Sequence, residues 1–281
     1  MQLPGIAESC WVATTPQTRY SRYEQSDRTD VAVIGGGIVG LTSAYLLATA
    51  GYAVTVLEAR RIGRQVTGRS TAKVTSQHAL VYAHLRQTVG LERARLYGEA
   101  NHAGVELVAA LARDLDIRCD FERKDAYAYT HQSQTMAAIE AEADAARALG
   151  FDVAIMQPAP LPFPTVGALR FANQAQFNPA QYLVGLAAAI VGNGGRIFER
   201  TRVADVERKG TGWRIKSDRH HLDADRVVVA TSIPVAGPIK YDERLRPRCH
   251  TVIAFRAVDS TAIDGMLQMS PLGRACGRAR S

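Results

Sequence analysis

The stretch between Asp30 and Glu58 limits most strongly what this chain can fold into. It opens with a short, β-branched apolar run, Val31 to Ile34, which is typical of a strand buried on both faces of a parallel sheet. A Gly-x-Gly-x-x-Gly turn follows and leads into a predicted helix that ends near Gly51. A second apolar strand ends at the glutamate. Strand, turn, helix, strand and terminal acid, in this order and spacing, predict a dinucleotide-binding unit.

Each key position in this unit has a physical reason. Gly35 permits the tight turn, Gly37 lets a pyrophosphate approach the backbone, and Gly40 lets the helix pack closely on the strand. Ile38 begins the helix and is included in the predicted cofactor site. The carboxylate of Glu58 is placed to accept hydrogen bonds from a ribose diol. The alternative is a glycine-rich connection in an ordinary α/β unit.

Composition matters here mainly for what it excludes. With 47% hydrophobic residues in 281, the chain can bury the core of one large or two modest domains. The N-terminus lacks the layout of a signal peptide, and no apolar run approaches the ~20 residues that span a bilayer. We therefore expect a soluble cytoplasmic protein with no membrane span.

Neither the cysteines nor the charge points to a further ligand. The four cysteines are scattered without paired spacing, so we predict reduced structural thiols and no metal site. The formal net charge is +7, and much of the arginine excess lies after residue 243. Because no basic stripe alternates with aromatic residues, we expect no nucleic-acid partner.

A pass along the chain predicts an α/β protein. Residues 1–29 are expected to form an extended surface arm, with Trp11 as its anchor. The prolines between 158 and 164 suggest a crossing between domains. Asn178 and Pro179 read as the cap and first turn of a helix reaching about residue 191. Other predicted helices cover 80–89, 92–115 and 134–149; predicted strands cover 119–121, 126–130, 151–156, 196–198, 203–208, 213–216, 220–222 and 226–230.

With these residues in place, the chain resembles the FAD-dependent amine and amino-acid oxidoreductases of the D-amino-acid oxidase superfamily. The pattern is most similar to a bacterial branch whose members often carry a C-terminal Rieske iron–sulfur domain. The resemblance covers roughly residues 8–268, and its most specific block is Thr67 to His78, with support at 99–101, 120–123 and 125–127. It implies an α/β fold: a Rossmann-type FAD-binding domain with a parallel central sheet and β-meander, plus a partial α+β substrate domain.

The implied domain organisation interleaves these two parts. An N-terminal arm at 1–29 precedes the first part of the FAD-binding domain at 30–85. A mainly helical substrate domain at 86–172 follows, and the second FAD-binding part covers 173–235. Residues 236–268 would return to the substrate domain, and 269–281 form an aberrant tail.

The resemblance also implies FAD as cofactor and assigns the residues that hold it. Val203 corresponds to the place where backbone groups hold the adenine, and Ala230 with Thr231 forms the strand end returning to the dinucleotide. The segment Ser70 to Lys73 passes the isoalloxazine ring. The full set of implied cofactor residues is Gly35, Gly37, Ile38, Gly40, Glu58, Ala59, Arg60, Ser70, Thr71, Ala72, Lys73, Val203, Ala230 and Thr231.

The implied chemistry is hydride transfer from the carbon bearing nitrogen, in an amine or amino acid, to flavin N5. Lys73 would stabilise negative charge on reduced flavin, although a phosphate contact or a surface position is the alternative. Gln77 and His78 would line the substrate cavity, whereas a helix-entry or packing role is the alternative for the histidine. Ser70 and Thr71 equally suit a turn that satisfies its own backbone.

The sequence departs from the family pattern at two places. The segment from Gly63 to Val66 is bulkier than usual near the cofactor, which predicts weaker FAD binding. After about Leu267 the resemblance fades, which suggests a chain truncated at its C-terminus. Two alternatives therefore stay open: a catalytically silent fragment of such an enzyme, and an NAD-dependent dehydrogenase. The electron acceptor also stays open between oxygen, a quinone and an iron–sulfur partner.

Overall fold

A computed structural model describes residues 6–234, 245–246, 252–254 and 264–269. These residues form two compact units, each assembled from separate stretches of sequence. The first unit comprises residues 6–72, 112–119 and 178–234, with 245–246 and 252–254. The second comprises 73–111, 120–177 and 264–269.

The first unit is built on a six-stranded sheet. Its strands are β1 (Asp27–Ile34), β2 (Val54–Leu57), β7 (Arg196–Phe198), β8 (Asp205–Lys209), β9 (Gly212–Lys216) and β10 (His221–Val229), in the spatial order β7-β2-β1-β10-β9-β8. The pairs β7–β2, β2–β1 and β1–β10 are parallel, whereas β10–β9 and β9–β8 are antiparallel. This confirms the predicted Rossmann-type α/β fold, with a parallel centre and a β-meander at one edge.

Two helices pack together in the first unit, α2 (Ile38–Thr49) and α6 (Pro179–Gly192). The side chain of Asn178 accepts hydrogen bonds from the amides of Ala180 and Gln181, as the capping pattern predicts. Fully buried Leu41 and Leu186 lie on these two helices. The second half of β1, Val31 to Ile34, and all of β2 are buried as well.

The second unit has a sheet of its own. Its strands are β3 (Lys73–Val74), β4 (Glu122–Thr130), β5 (Val153–Met156), β6 (Gly167–Gln176) and β11 (Met266–Met269), in the order β11-β4-β6-β3 with β5 also pairing with β6. The helices are α3 (Tyr82–Val89), most of α4 (Leu91–Asp114) and α5 (Met136–Ala148). Tyr82, Ile139, Leu169 and Phe171 form the centre of its core.

A buried carboxylate joins two helices of the second unit. Glu142 on α5 is fully buried and accepts hydrogen bonds from the backbone amides of Tyr82, at 2.8 Å, and Ala83, at 2.7 Å. It therefore satisfies two of the amides that the first turn of α3 leaves without a helical partner. Burial raises the pKa of the Glu142 carboxyl, and these amide donors oppose the rise.

Some predicted strands were wrong in extent. Residues 119–121, predicted as a strand, precede β4 and form no strand. The strand predicted at 126–130 begins earlier, because β4 runs from Glu122 through the charged residues with a bulge between Lys124 and Ala126. The pieces predicted at 220–222 and 226–230 are one strand, β10. Its charged residue Asp223 stays in the sheet because Arg214 and Lys209 on the neighbouring strands pair with it.

The long strand β6 was not predicted at all. It pairs with β3, β4 and β5, so it is the central strand of the second sheet. The prolines between 158 and 164 lie between β5 and β6, two strands of the same unit, so they do not mark a crossing between units.

The borders of the units fall at 72/73, 111/112, 119/120 and 177/178. The sequence pattern had suggested 85/86, 172/173 and 235/236. The expected segments 236–268 and 269–281 lie mostly outside the described residues. So do Cys249 and Cys276.

The N-terminal arm is not extended throughout. It contains a short helix, α1 (Cys10–Thr14), and the indole Nε1 of Trp11 donates a hydrogen bond to the carbonyl of Ser70 at 3.0 Å. The anchoring role of the tryptophan is thus as predicted. Across the residues the structure describes, no helix has the length and apolar character needed to cross a membrane. No metal-binding group of His, Cys, Asp or Glu was found in that same part of the chain.

Candidate dinucleotide site

The turn between β1 and α2 tolerates only glycine at two of its positions. Gly35 has a φ of +113°, and a Cβ there would lie 2.7 Å from the carbonyl oxygen of Ala230. A Cβ on Gly40 would lie 1.9 Å from the carbonyl oxygen of Gly35. The first glycine therefore allows the turn to lie against the end of β10, and the second allows α2 to lie against the turn.

The N-terminus of α2 opens at this turn. Gly37 is the residue before the first helical position and provides no side-chain cap. The amide of Ile38 donates instead to the hydroxyl Oγ1 of Thr67, at 3.2 Å. Since a helix N-terminus carries partial positive charge and unpaired amides, this is the place where an anion is stabilised. Thr67 was missed as a site residue, although it begins the most specific sequence block.

Glu58 lies directly beside the glycine turn. Its carboxylate is only 7% exposed and accepts two backbone hydrogen bonds. Oε2 accepts from the amide of Gly36 at 2.7 Å, and Oε1 accepts from the amide of Arg60 at 2.8 Å. Each oxygen of an ionised carboxylate has a second lone pair, so both can still accept from hydroxyl groups.

These features border one cavity of about 710 Å³ in the first unit. This volume lies within the range of ordinary small-molecule and cofactor sites. The predicted site residues that line it are Gly35, Gly37, Ile38, Glu58, Ala59, Arg60, Val203, Ala230 and Thr231. Gly40 lies one helical turn away and acts through packing.

Further lining residues escaped the sequence prediction. Besides Thr67 they include Gln65, Val66, Arg202, Ser232 and Ile233. The signal that could have found the last three is topological: they lie close to the carboxyl ends of β7 and β10, where open α/β sheets bind ligands. The first two belong to the segment from Gly63 to Val66, which was expected to lie near the cofactor.

Ser70, Thr71 and Ala72 are not among the described residues that line this cavity. The hydroxyl Oγ of Ser70 accepts a hydrogen bond from the amide of Ala72 at 3.2 Å. Ala72 is buried and has a φ of +60°. This arrangement matches the alternative in which the serine satisfies its own turn.

The three residues predicted to be catalytic belong to the second unit. Lys73 opens β3 and is half-buried, and burial lowers the pKa of its ammonium group. His78 is exposed, with Nδ1 2.8 Å from the hydroxyl of Tyr97. Although the residue is exposed as a whole, partial desolvation of its ring lowers the pKa of this imidazole, and the positive charge of Lys73 lowers it further.

Gln77 differs from its two neighbours in this group. It is buried, at 4% exposure, and its Nε2 lies 3.4 Å from the carbonyl oxygen of Leu169. The structure therefore brings the lysine and histidine within electrostatic range of one another and places the glutamine side chain against β6.

The first-unit site fits the nucleotide part of FAD. The glycine turn provides a backbone surface that a single Cβ would fill, and the helix N-terminus suits a pyrophosphate. The buried carboxylate of Glu58 suits a ribose diol.

Comparison with known proteins agrees with this geometry. The family model described as FAD dependent oxidoreductase matches residues 30–277. The putative Rieske 2Fe-2S iron–sulfur protein YhfW of Bacillus subtilis (strain 168) is 33% identical over 227 residues, covering 81% of this chain and 45% of that protein. Gamma-glutamylputrescine oxidoreductase of Escherichia coli (strain K12) is 27% identical over 217 residues, covering 75% and 50%.

A solved structure shows the same fold. L-proline dehydrogenase from P. horikoshii superposes with a TM-score of 0.59 at 19% identity, covering 74% of this chain and 54% of that one. This chain spans about half the length of the curated relatives it matches.

Proposed function

The chain belongs to the family of FAD-dependent oxidoreductases, and we propose that it contributes the FAD-binding unit of an enzyme that oxidises small amines or amino acids. FAD is the cofactor of this family. The observation that carries the proposal is the cavity at the carboxyl ends of the parallel strands, bordered by the glycine turn and the buried Glu58.

In this proposal the first unit holds the adenosine diphosphate part of the cofactor. The backbone around Gly37 and Ile38 would bind the pyrophosphate, because amides at a helix N-terminus stabilise negative charge. Glu58 would accept from the ribose hydroxyls, since both its oxygens are fixed by backbone amides and keep free lone pairs. Val203 and the segment Ala230–Thr231 would complete the adenosine side of the cavity.

When bound, FAD supplies the redox chemistry by accepting a hydride equivalent from the carbon next to the substrate nitrogen. The protein's own contribution is electrostatic. We assign to Lys73 the stabilisation of negative charge, which its half-buried ammonium suits. His78, whose pKa is lowered, would be neutral near pH 7 and able to exchange a proton with a substrate amine. The burial of Gln77 favours a packing role over a catalytic one.

The substrate class rests on one sequence relative. Gamma-glutamylputrescine oxidoreductase is named for a substrate that carries an amine. The Rieske relative supports an iron–sulfur group as electron acceptor. For this chain, both the amine substrate and the iron–sulfur partner are proposals.

The test is spectroscopic. We expect the purified chain, incubated with FAD and freed of excess cofactor, to retain flavin absorbance, and we expect anaerobic addition of a panel of primary and secondary amines and amino acids to bleach it. A colourless protein would contradict FAD binding. A coloured protein that no amine bleaches would leave FAD binding standing and would contradict amine oxidation by this chain.

A further inference from the structure

A second cavity in the first unit is rich in positive charge, because five of the eight residues that line it are arginines. Its volume is about 380 Å³. The charged residues that line it are Arg60, Arg61, Arg64, Arg69, Arg200 and Glu8. Arg60 also lines the dinucleotide cavity, whereas the other four arginines do not.

The charges in this cavity are far from balanced. Arginine stays protonated in proteins, so five guanidinium groups against one carboxylate leave a formal charge of +4. The carboxylate of Glu8 is paired with Arg64, at 2.9 Å. Within the described residues, Arg64 is the one arginine of this set that forms an ion pair with a carboxylate. Arg61 donates to the backbone carbonyl of Thr18, at 2.7 Å, which leaves its charge uncompensated.

The backbone holds two of these arginines side by side. The amide of Arg200 donates to the carbonyl of Arg60 at 2.7 Å, just beyond the ends of β7 and β2. Arg200 has a φ of +50°, a left-handed conformation that is uncommon for residues other than glycine. An arginine thus occupies a position where the backbone geometry favours glycine, although its side chain forms no ion pair within the described residues. Such an outlier favours a functional reason for the side chain.

We propose that this cavity binds a small molecule carrying two or more phosphate groups. Several guanidinium forks in one concave site match phosphate oxygens in pairs, and a multiply charged anion is what neutralises a lining of this charge. A concave volume of this size accommodates a small ligand rather than an extended polyanion. The ligand is either a free oligophosphate or the phosphate groups of a nucleotide.

The test uses the purified full chain at low ionic strength, titrated with inorganic pyrophosphate by calorimetry. We expect one bound pyrophosphate per chain, with affinity that falls as salt is added. Arg69→Gln and Arg200→Gln should each weaken binding about tenfold, because each removes a charge-assisted hydrogen bond. Glu8→Gln should tighten binding, since among the described residues that line the cavity it removes the only carboxylate.

The matched control is Arg19→Gln, which removes an exposed arginine of the same unit that does not line the cavity. It should leave the affinity unchanged. The opposite effects of Glu8→Gln and Arg200→Gln separate ligand binding from a general loss of folding. An ADP titration then separates the sources: equal sensitivity of ADP to the arginine changes identifies nucleotide phosphates, and insensitivity identifies a free oligophosphate.

Three results would overturn the proposal. The first is no pyrophosphate binding to the unchanged protein. The second is binding that survives the combined change of Arg69 and Arg200, which would indicate the N-terminus of α2 as the binding place. The third is an equal loss of affinity in the Arg19→Gln control.

Discussion

At the scale of single residues, Glu58 has two roles: it lies at the nucleotide site, and it holds the backbone of the neighbouring turn. Its position at the end of an apolar strand predicts an acid at the nucleotide site. The structure adds that both of its oxygens are already used by the backbone, at Gly36 and Arg60. The carboxylate therefore fixes the shape of the turn before any ligand arrives. Spacing rules predict the residue but not this second task, which depends on where the amides of two loops point.

Replacing Glu58 with glutamine should weaken both the fold and the cofactor site. A glutamine side chain has one oxygen acceptor, so its amide group must face one of the two backbone amides without bonding. Leaving one buried donor unpaired costs about 1–3 kcal/mol of unfolding free energy. We expect a lower urea midpoint and a lower flavin-to-protein absorbance ratio after reconstitution. Asp30→Asn is the control, because Asp30 accepts from the amide of Ala53 elsewhere on β1; an equal flavin loss there would contradict the specific role of Glu58.

Gly40→Ala is predicted to damage the same turn by steric contact alone. The new Cβ would lie 1.9 Å from the carbonyl oxygen of Gly35, so α2 or the turn must shift. Destabilisation should exceed 1 kcal/mol, roughly the scale of overpacking in a core, with loss of FAD retention. The control is Gly104→Ala in α4, where a Cβ meets nothing within 4 Å. That change should stabilise the protein by about 0.5–1 kcal/mol. Equal urea midpoints for the two variants would count against the packing argument.

At the scale of elements, local signals predicted the helices better than the second sheet. The helix α6 follows from Asn178 and Pro179, because a cap and a first-turn proline act within one turn of chain. Strand β6 carries no such local signal, and its place is fixed by β3, β4 and β5. Two of those partners, β3 and β4, are far away in sequence, so a window of neighbouring residues does not contain the pairing that stabilises β6. The same reason explains why β10 was predicted as two pieces around Asp223.

The junction of α3 and α5 should give the protein a measurable pH dependence. Because burial raises the pKa of Glu142 above the ordinary value of 4.5, the folded state holds its proton more tightly than the unfolded state. Stability from this group therefore falls as pH rises from the unfolded pKa to the folded pKa, and is constant above it. Glu142→Gln keeps one acceptor for the amides of α3 and removes the titration.

Urea unfolding at a series of pH values above 4.5 checks this prediction. The unchanged protein should lose stability as pH rises, and Glu142→Gln should not lose this part. The free energy of unfolding of the variant minus that of the unchanged protein should therefore increase with pH. A difference that is flat with pH, or that changes in the opposite direction, would show that Glu142 is ionised and fully compensated in both states.

At the scale of the whole molecule, the chain crosses between its two units at 72/73, 111/112, 119/120 and 177/178. The borders implied by the resemblance were 85/86, 172/173 and 235/236. The difference arises because the sequence marks turns and prolines, whereas a unit is defined by long-range packing. Residues 112–119 illustrate this: they begin within the last turn of α4, a helix that is mostly in the second unit, yet they belong to the first. Their amino-acid composition does not indicate that the chain passes from the second unit to the first at 111/112.

Cofactor choice can be tested on the whole chain without any assay of turnover. A ligand that binds only the folded state stabilises it by RT ln(1 + [L]/Kd), which is about 2.7 kcal/mol at a concentration of 100 Kd. We therefore expect FAD to raise the melting temperature of the purified chain and the same concentration of NAD⁺ to raise it much less. The increase with FAD should shrink in Glu58→Gln, because the ribose acceptor is altered, and persist in Asp30→Asn. A larger shift with NAD⁺ than with FAD would instead favour a nicotinamide-dependent dehydrogenase built on the same glycine turn and carboxylate, because a ribose-binding acid serves either dinucleotide.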